Sequence, residues 1–141
     1  REGILTNSMP ASELPAVTLK LEHQDTRGVI LQIGMPGDHE LLLFFCREGY
    51  LRGGHSHDVP EMVVLLSGRM KYHKHTEQGD TVLELRGGDV SYNQPGEAHM
   101  GEFLEDTWLV EWKLGPNSAI GKWTTTDFEP FRKLVRERMA K

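Results

Sequence analysis

Cysteine is almost absent from this sequence. Cys46 is the single one in 141 residues, so no intrachain disulfide can form and oxidising export is not implied. Its place at the end of LLLFFC reads as that of a small buried hydrophobe. Long apolar runs are missing too: LLLFFC is far short of the roughly 20 residues that cross a bilayer. The opening REGILTNSM lacks both the apolar core of a secretory signal and an initiator Met. The expectations are a cytoplasmic location, no membrane partner, and a chain that is a processed or shortened piece. A basic excess is also missing. Lys and Arg number 16 against 21 Asp and Glu, for a net charge of −5, which argues against nucleic acid as a partner. No internal repeat, low-complexity tract or linker is present.

Glycine is plentiful, 15 residues, and it punctuates short apolar segments as turns do. Residues 17–23 alternate apolar and polar, the mark of a half-buried strand. Residues 28–34, 39–49, 62–68, 69–75, 81–89, 89–93 and 106–115 read as further strands, with turns at DTRG, MPGD, EQGD and QPGE. In the last strand Trp108, Val110 and Trp112 share one face. The pattern then changes period. Phe128, Phe131, Leu134, Val135 and Met139 recur at helical spacing, so a helix is expected over 126–140, capped by Thr126 or Asp127, with its basic last turns matched to the helix dipole. Its expected role is packing against the β body or a second copy. Eight or more short strands and one helix make an all-β sandwich or barrel of jelly-roll type. The expected organisation is an arm and first strand over 1–27, with 1–14 as a patternless arm, a barrel over 28–114, and a C-terminal segment over 115–141.

One stretch is chemically dense: GGHSHDVPE, residues 53–61. In a strand, residues i and i+2 face the same side, so His55 and His57 can converge on one ion. Glu61 shares that face but for the bend at Pro60. Two imidazoles and a carboxylate suit a divalent transition metal rather than calcium. A second HxH, His73-Lys74-His75, serves as a control. There Met70 and Tyr72 are the better core candidates, which turns Lys71, His73 and His75 outward near a hairpin tip.

The frame separates the two pairs. Gly49, His55, His57, Glu61 and Gly68 stand at the spacings of the first motif of the cupin superfamily, and the stretch resembles it at every fixed position. Gly88, Gly96 and His99 resemble the second motif. There Gln94 stands in the proline slot, with Pro95 one place later, and Phe103 stands in the final asparagine slot. The resemblance, to a small single-domain (monocupin) protein, covers about 28–114. It implies a double-stranded β-helix barrel, a homodimer to which strand 41–46 and the N-terminal arm contribute, and His55, His57, Glu61 and His99 as metal ligands. Three imidazoles and a carboxylate leave open positions on a six-coordinate ion, and Fe, Mn, Ni, Co, Cu or Zn all suit such a set. Because the histidines must be deprotonated to bind, metal is expected to leave as pH falls toward 5.

Two flanking residues are candidates for contact with a small-molecule substrate: Arg52, three before His55, for an anionic group, and Tyr92 as a phenol donor. Fold alone does not choose the chemistry. The preferred reading is a metal-dependent oxidoreductase of the dioxygenase type. The alternatives are an isomerase, epimerase or lyase on a sugar or keto acid, and a non-catalytic metabolite binder. RGGHSHD also resembles the RGxHxH stretch of the nucleotide-sugar ketoisomerases, the RmlC-like branch, which work without metal. Lyases of dimethylsulfoniopropionate rank lower, since Val63 stands where they often place a tyrosine.

Overall fold

In a computed structural model, residues 18–140 are described. The arm expected over 1–14 lies outside them. Eleven strands and one helix follow in order: β1 (Thr18–Asp25), β2 (Gly28–Met35), β3 (His39–Cys46), β4 (Leu51–His57), β5 (Glu61–Ser67), β6 (Arg69–Thr76), β7 (Gly79–Arg86), β8 (Val90–Asn93), β9 (Ala98–Phe103), β10 (Thr107–Lys113), β11 (Thr125–Asp127) and α1 (Glu129–Met139). The strands form two antiparallel sheets, ordered β1-β2-β3-β10-β5-β8 and β11-β4-β9-β6-β7. This is the jelly-roll sandwich that the alternating patterns predict.

The core lies between the sheets. Phe44, Cys46, Val63, Leu65, Met70, Tyr72, Leu85, Phe103 and Leu109 fill it, and Cys46 has no exposed surface at all. The long apolar strand splits by parity: Phe44 and Cys46 point inward, while Leu41, Leu43 and Phe45 are only partly covered on the outer face. On β10 the two faces are the reverse of what hydrophobicity suggests. Trp108, Val110 and Trp112 point outward, and Leu109, Glu111 and Lys113 point inward.

The helix packs on the outer face of the five-stranded sheet. Phe131 and Val135, one turn apart, close over Leu51, Ala98 and Met100; each such burial stabilises by roughly 1.5–3 kcal/mol. Its start differs from the expected 126. Thr125–Asp127 pair with β4 opposite His57, Ser56 and His55, so sheet pairing takes the two candidate caps, Thr126 and Asp127. The N-cap is Phe128, with no side-chain cap bond. Pro130 sits in the first turn, where a missing N–H costs nothing. Leu134 and Met139 complete the helical spacing but stay exposed. Strands β4 and β9 do not show in the alternation of the sequence, because glycine and histidine interrupt their apolar residues.

Candidate metal centre

The local cause of the site is a β-bulge. Strand β4 pairs with β9 as Arg52 with Gly101 and Gly53 with Met100, and the next pair is His55 with His99; Gly54 is the extra residue. A bulge shifts the side-chain alternation by one. Leu51 therefore turns out under the helix, while Arg52, three before His55, shares a cavity wall with it. Strict alternation would have put Arg52 on the opposite face.

Both bulge residues need to be glycine. Gly53 and Gly54 have φ of 97° and 91°, which side chains rarely tolerate. A Cβ on Gly53 would lie 2.8 Å from the His99 carbonyl oxygen, and one on Gly54 3.1 Å from the Arg132 backbone nitrogen. The bulge frees two carbonyls from the sheet, and the helix region takes both. Phe128 N–H donates to the Gly54 carbonyl at 2.9 Å, and Arg132 Nη1 donates to the Gly53 carbonyl at 2.8 Å.

Three imidazoles meet inside the barrel. The ligand nitrogens of His55, His57 and His99 all lie within 4.8 Å of one another. His99 Nδ1 donates to the Glu97 carbonyl at 3.2 Å, which leaves its Nε2 lone pair free. His57 Nδ1 bonds Thr125 Oγ1 at 2.9 Å. His57 Nε2 is buried with no hydrogen-bond partner among the described residues. An orphaned, buried lone pair aimed at two others is what a metal ion would satisfy. Burial, reinforced by neighbouring positive groups, holds all three rings neutral: the His55 pKa falls to about 4, that of His57 to about 3, and that of His99 is lowered too. Neutral imidazole is the form that ligates.

Glu61 touches two of the three. Its Oε1 is 3.3 Å from His99 Nε2 and its Oε2 is 3.5 Å from His57 Nε2. It is fully buried. Of the residues that hold it, Lys113 lies outside both histidine motifs and Asn93 stands at a variable position within the second. Lys113 Nζ donates to Oε2 at 2.7 Å, and Asn93 Nδ2 donates to Oε1 at 3.0 Å and to Tyr72 Oη at 2.7 Å. Burial works to raise the Glu61 pKa but is outweighed by Lys113, His99 and His57, which lower it to about 2. Lys113 itself lies over the Trp123 ring, 4.3 Å from its centroid, a favourable cation–π placement. Glu111, two residues before, is half-buried on the cavity wall. Burial and the charge of Glu61 raise its pKa well above the carboxylate range. Nothing in the sequence marks Lys113 and Glu111, because the aromatic face of β10 looks like the core face.

Two other expectations meet the structure differently. Tyr92 is exposed and points away from the barrel, opposite its neighbours Ser91 and Asn93. A four-residue strand with strict alternation leaves it no route inward, so the structure does not bring it to the site; its carbonyl instead accepts from Lys74 Nζ at 2.7 Å. His73 and His75 do point outward, but the helix region covers them: the His75 ring stacks on Phe128 at 4.3 Å.

No family model matches the chain, and no curated protein sequence matches it either. Solved structures do. The capsular polysaccharide assembling protein CapF from Staphylococcus aureus is 18% identical over 84% of this chain, with a TM-score of 0.58. An oxalate decarboxylase of Bacillus subtilis is 16% identical over 86%, with a TM-score of 0.67. The vicilin from Solanum melongena is 12% identical over 84%, with a TM-score of 0.66. These are cupin-fold proteins, and the fold of this chain is the cupin fold. The chain spans about a third of the length of each, 34% to 36%. Among the described residues no helix is long and apolar enough to cross a membrane.

Proposed function

We propose that the chain is a divalent-transition-metal-dependent enzyme of the dioxygenase type acting on a small organic molecule, with His55, His57, His99 and Glu61 as ligands. The observation that supports this most is the orphaned His57 Nε2, converging with His55 and His99. A bound ion of this class supplies open positions for substrate and dioxygen. The chain's own residues do the rest. The Glu97 carbonyl and Thr125 orient two rings. Lys113 keeps Glu61 ionised. A cavity of about 60 Å³ borders His55 and His99 and is walled largely by apolar side chains, which exclude water from the reacting centre.

The experiment is oxygen uptake by iron(II)-loaded protein with catechols, thiols and diketones. Uptake in proportion to substrate consumed is expected. Silence across the panel overturns the dioxygenase reading, and deuterium exchange into a keto-sugar in the same samples would assign an isomerase instead.

A homodimer belongs to the same proposal. The outer face of the six-stranded sheet carries an apolar groove of about 150 Å³ lined by Val29, Leu31, Leu43, Phe45 and Trp108, with Leu19, Leu21 and Leu66 exposed on the same sheet. Exposed apolar residues grouped in this way support an interface between two copies. Sedimentation equilibrium is expected to give twice the 16.0 kDa chain mass; a monomer at tens of micromolar would count against it.

A further inference from the structure

We infer that Trp123 caps the imidazole cluster, and that the strap carrying it, residues 114–124, opens to pass an ion in and out, with Asp58 as its latch. This rests on the proposed metal site for what passes the cap. It goes beyond that reading in naming the path and the residues that control it.

Three of the four proposed ligands have almost no contact with water. His57 is 7% exposed, His99 4% and Glu61 0%, so an ion reaches them only after part of the protein moves. Beyond His55 and His99 lies the cavity, walled by residues of β3, β4, β5, β6, β9 and β10. Those strands are tied into both sheets, and parting them breaks many ladder bonds at once. The His57 side is closed differently, by Trp123. Its ring stands edge-on to His57 with centroids 5.3 Å apart. The Lys113 ammonium lies 4.3 Å from the indole centroid. One side chain therefore covers both an imidazole and the cation that pairs with Glu61.

The strap is lightly held. It runs from the end of β10 to the start of β11 without helix or strand. At its first residue Leu114 N–H donates to the Pro60 carbonyl at 2.9 Å. From there to Trp123 its one backbone bond to the rest of the described chain is from Ile120 N–H to the Asp38 carbonyl, at 2.7 Å. Asp58 then fastens the far end. Thr124 N–H donates to Oδ1 at 2.8 Å, Thr124 Oγ1 donates to Oδ2 at 3.0 Å, and Asp58 N–H donates to the Thr124 carbonyl at 3.2 Å. The two side-chain bonds face solvent, where water readily replaces them. Segments held in this way open ahead of the whole fold, and Gly115 and Gly121 give the strap its pivots. The closed position is also not fully satisfied. Trp123 Nε1 is buried with no hydrogen-bond partner among the described residues, so opening returns that N–H to water.

The test is stopped-flow mixing of the metal-free full chain with cobalt(II), and of loaded protein with excess chelator, followed by cobalt absorption. Loosening the latch lowers the barrier in both directions, so Asp58→Ala is expected to speed uptake and release by about 10-fold or more. Affinity is expected to stay unchanged; a merely structural role for Asp58 would instead weaken binding or lower Tm without moving both rates together. Trp123→Ala is expected to speed both rates as well. Should Asp58→Ala unfold, Thr124→Val, which removes one latch bond, is expected to give a smaller change in the same direction. Acrylamide quenching of the metal-free chain, with Trp123→Phe as the background for Trp108 and Trp112, reads the cap alone and is expected to rise in Asp58→Ala. Unchanged rates in variants that bind cobalt overturn the cap and leave the metal site standing. No cobalt uptake by the wild-type chain, with quenching raised in Asp58→Ala, overturns the metal reading and leaves a hinged cap over the imidazoles. Unchanged quenching overturns the latch.

Discussion

His57→Ala is expected to lower affinity for a divalent transition ion by at least about 100-fold, since loss of even an outer partner of a metal ligand costs 10- to 100-fold. His55→Ala and His99→Ala are expected to do the same. His73→Ala and His75→Ala are expected to leave metal binding unchanged, although they carry the same HxH spacing. The difference lies in parity. The first pair points into the barrel and meets His99; the second points out and meets Phe128 and Phe131. Truncating His57 removes a ring that contacts Trp123 at its edge and Thr125 through one bond, so the fold survives the change. Metal titration followed by a count of ions per chain decides the matter. Equal loss in all five variants would mean that the cluster has no special role.

The second large effect is on stability. Lys113→Met leaves the Glu61 carboxylate buried with Asn93 as its remaining donor, and breaking a buried pair from one side costs about 3–5 kcal/mol. The double variant Glu61→Gln, Lys113→Met is expected to recover most of that loss, because no unpaired charge remains. A divalent ion is expected to rescue the single variant by taking the place of the ammonium beside Glu61. The pH dependence has a definite sign. With the Glu61 pKa lowered from 4.5 to about 2, the pair contributes stability that is complete above 4.5 and lost as pH falls toward 2. Denaturant unfolding of wild type and variant across that window is the measurement, and an unchanged midpoint for Lys113→Met would dispose of the prediction.

Particular residues show how far the sequence reaches. Turn residues and period-two alternation place most strands, and the resemblance of the two glycine-framed histidine segments to the cupin motifs points to His55, His57 and His99. Alternation cannot tell inside from outside when both faces carry apolar or amphipathic groups. On β10 the tryptophans point outward and Lys113 and Glu111 inward, so the partner of Glu61 is hidden in a strand whose aromatic face looks like the core face. Arg52 is ambiguous for another reason. Its facing depends on a bulge at Gly53 and Gly54, and a bulge changes parity without changing composition. Tyr92 fails as a candidate because nearness in sequence to the second motif says nothing about which side of β8 it occupies. The helix begins late because Thr125–Asp127 have a better use, pairing with the strand that carries the histidines.

The lowered histidine pKa values also move one expectation. Ordinary imidazoles would take up protons near 6.5 and release metal as pH falls toward 5. Here the folded rings resist protonation down to about 4 for His55 and about 3 for His57. The folded site keeps its ligands neutral lower, while the unfolded chain gains protons from 6.5 downward and the fold loses stability over the same span. Release should therefore track the loss of structure or the approach to pH 4, whichever comes first.

The most direct measurement is metal content after reconstitution and dialysis, taken from pH 7.5 down to pH 3. The account predicts about one transition ion per chain at pH 7.5, held through pH 5 and gone by about pH 3. No metal at pH 7.5, or full retention at pH 3, would contradict it.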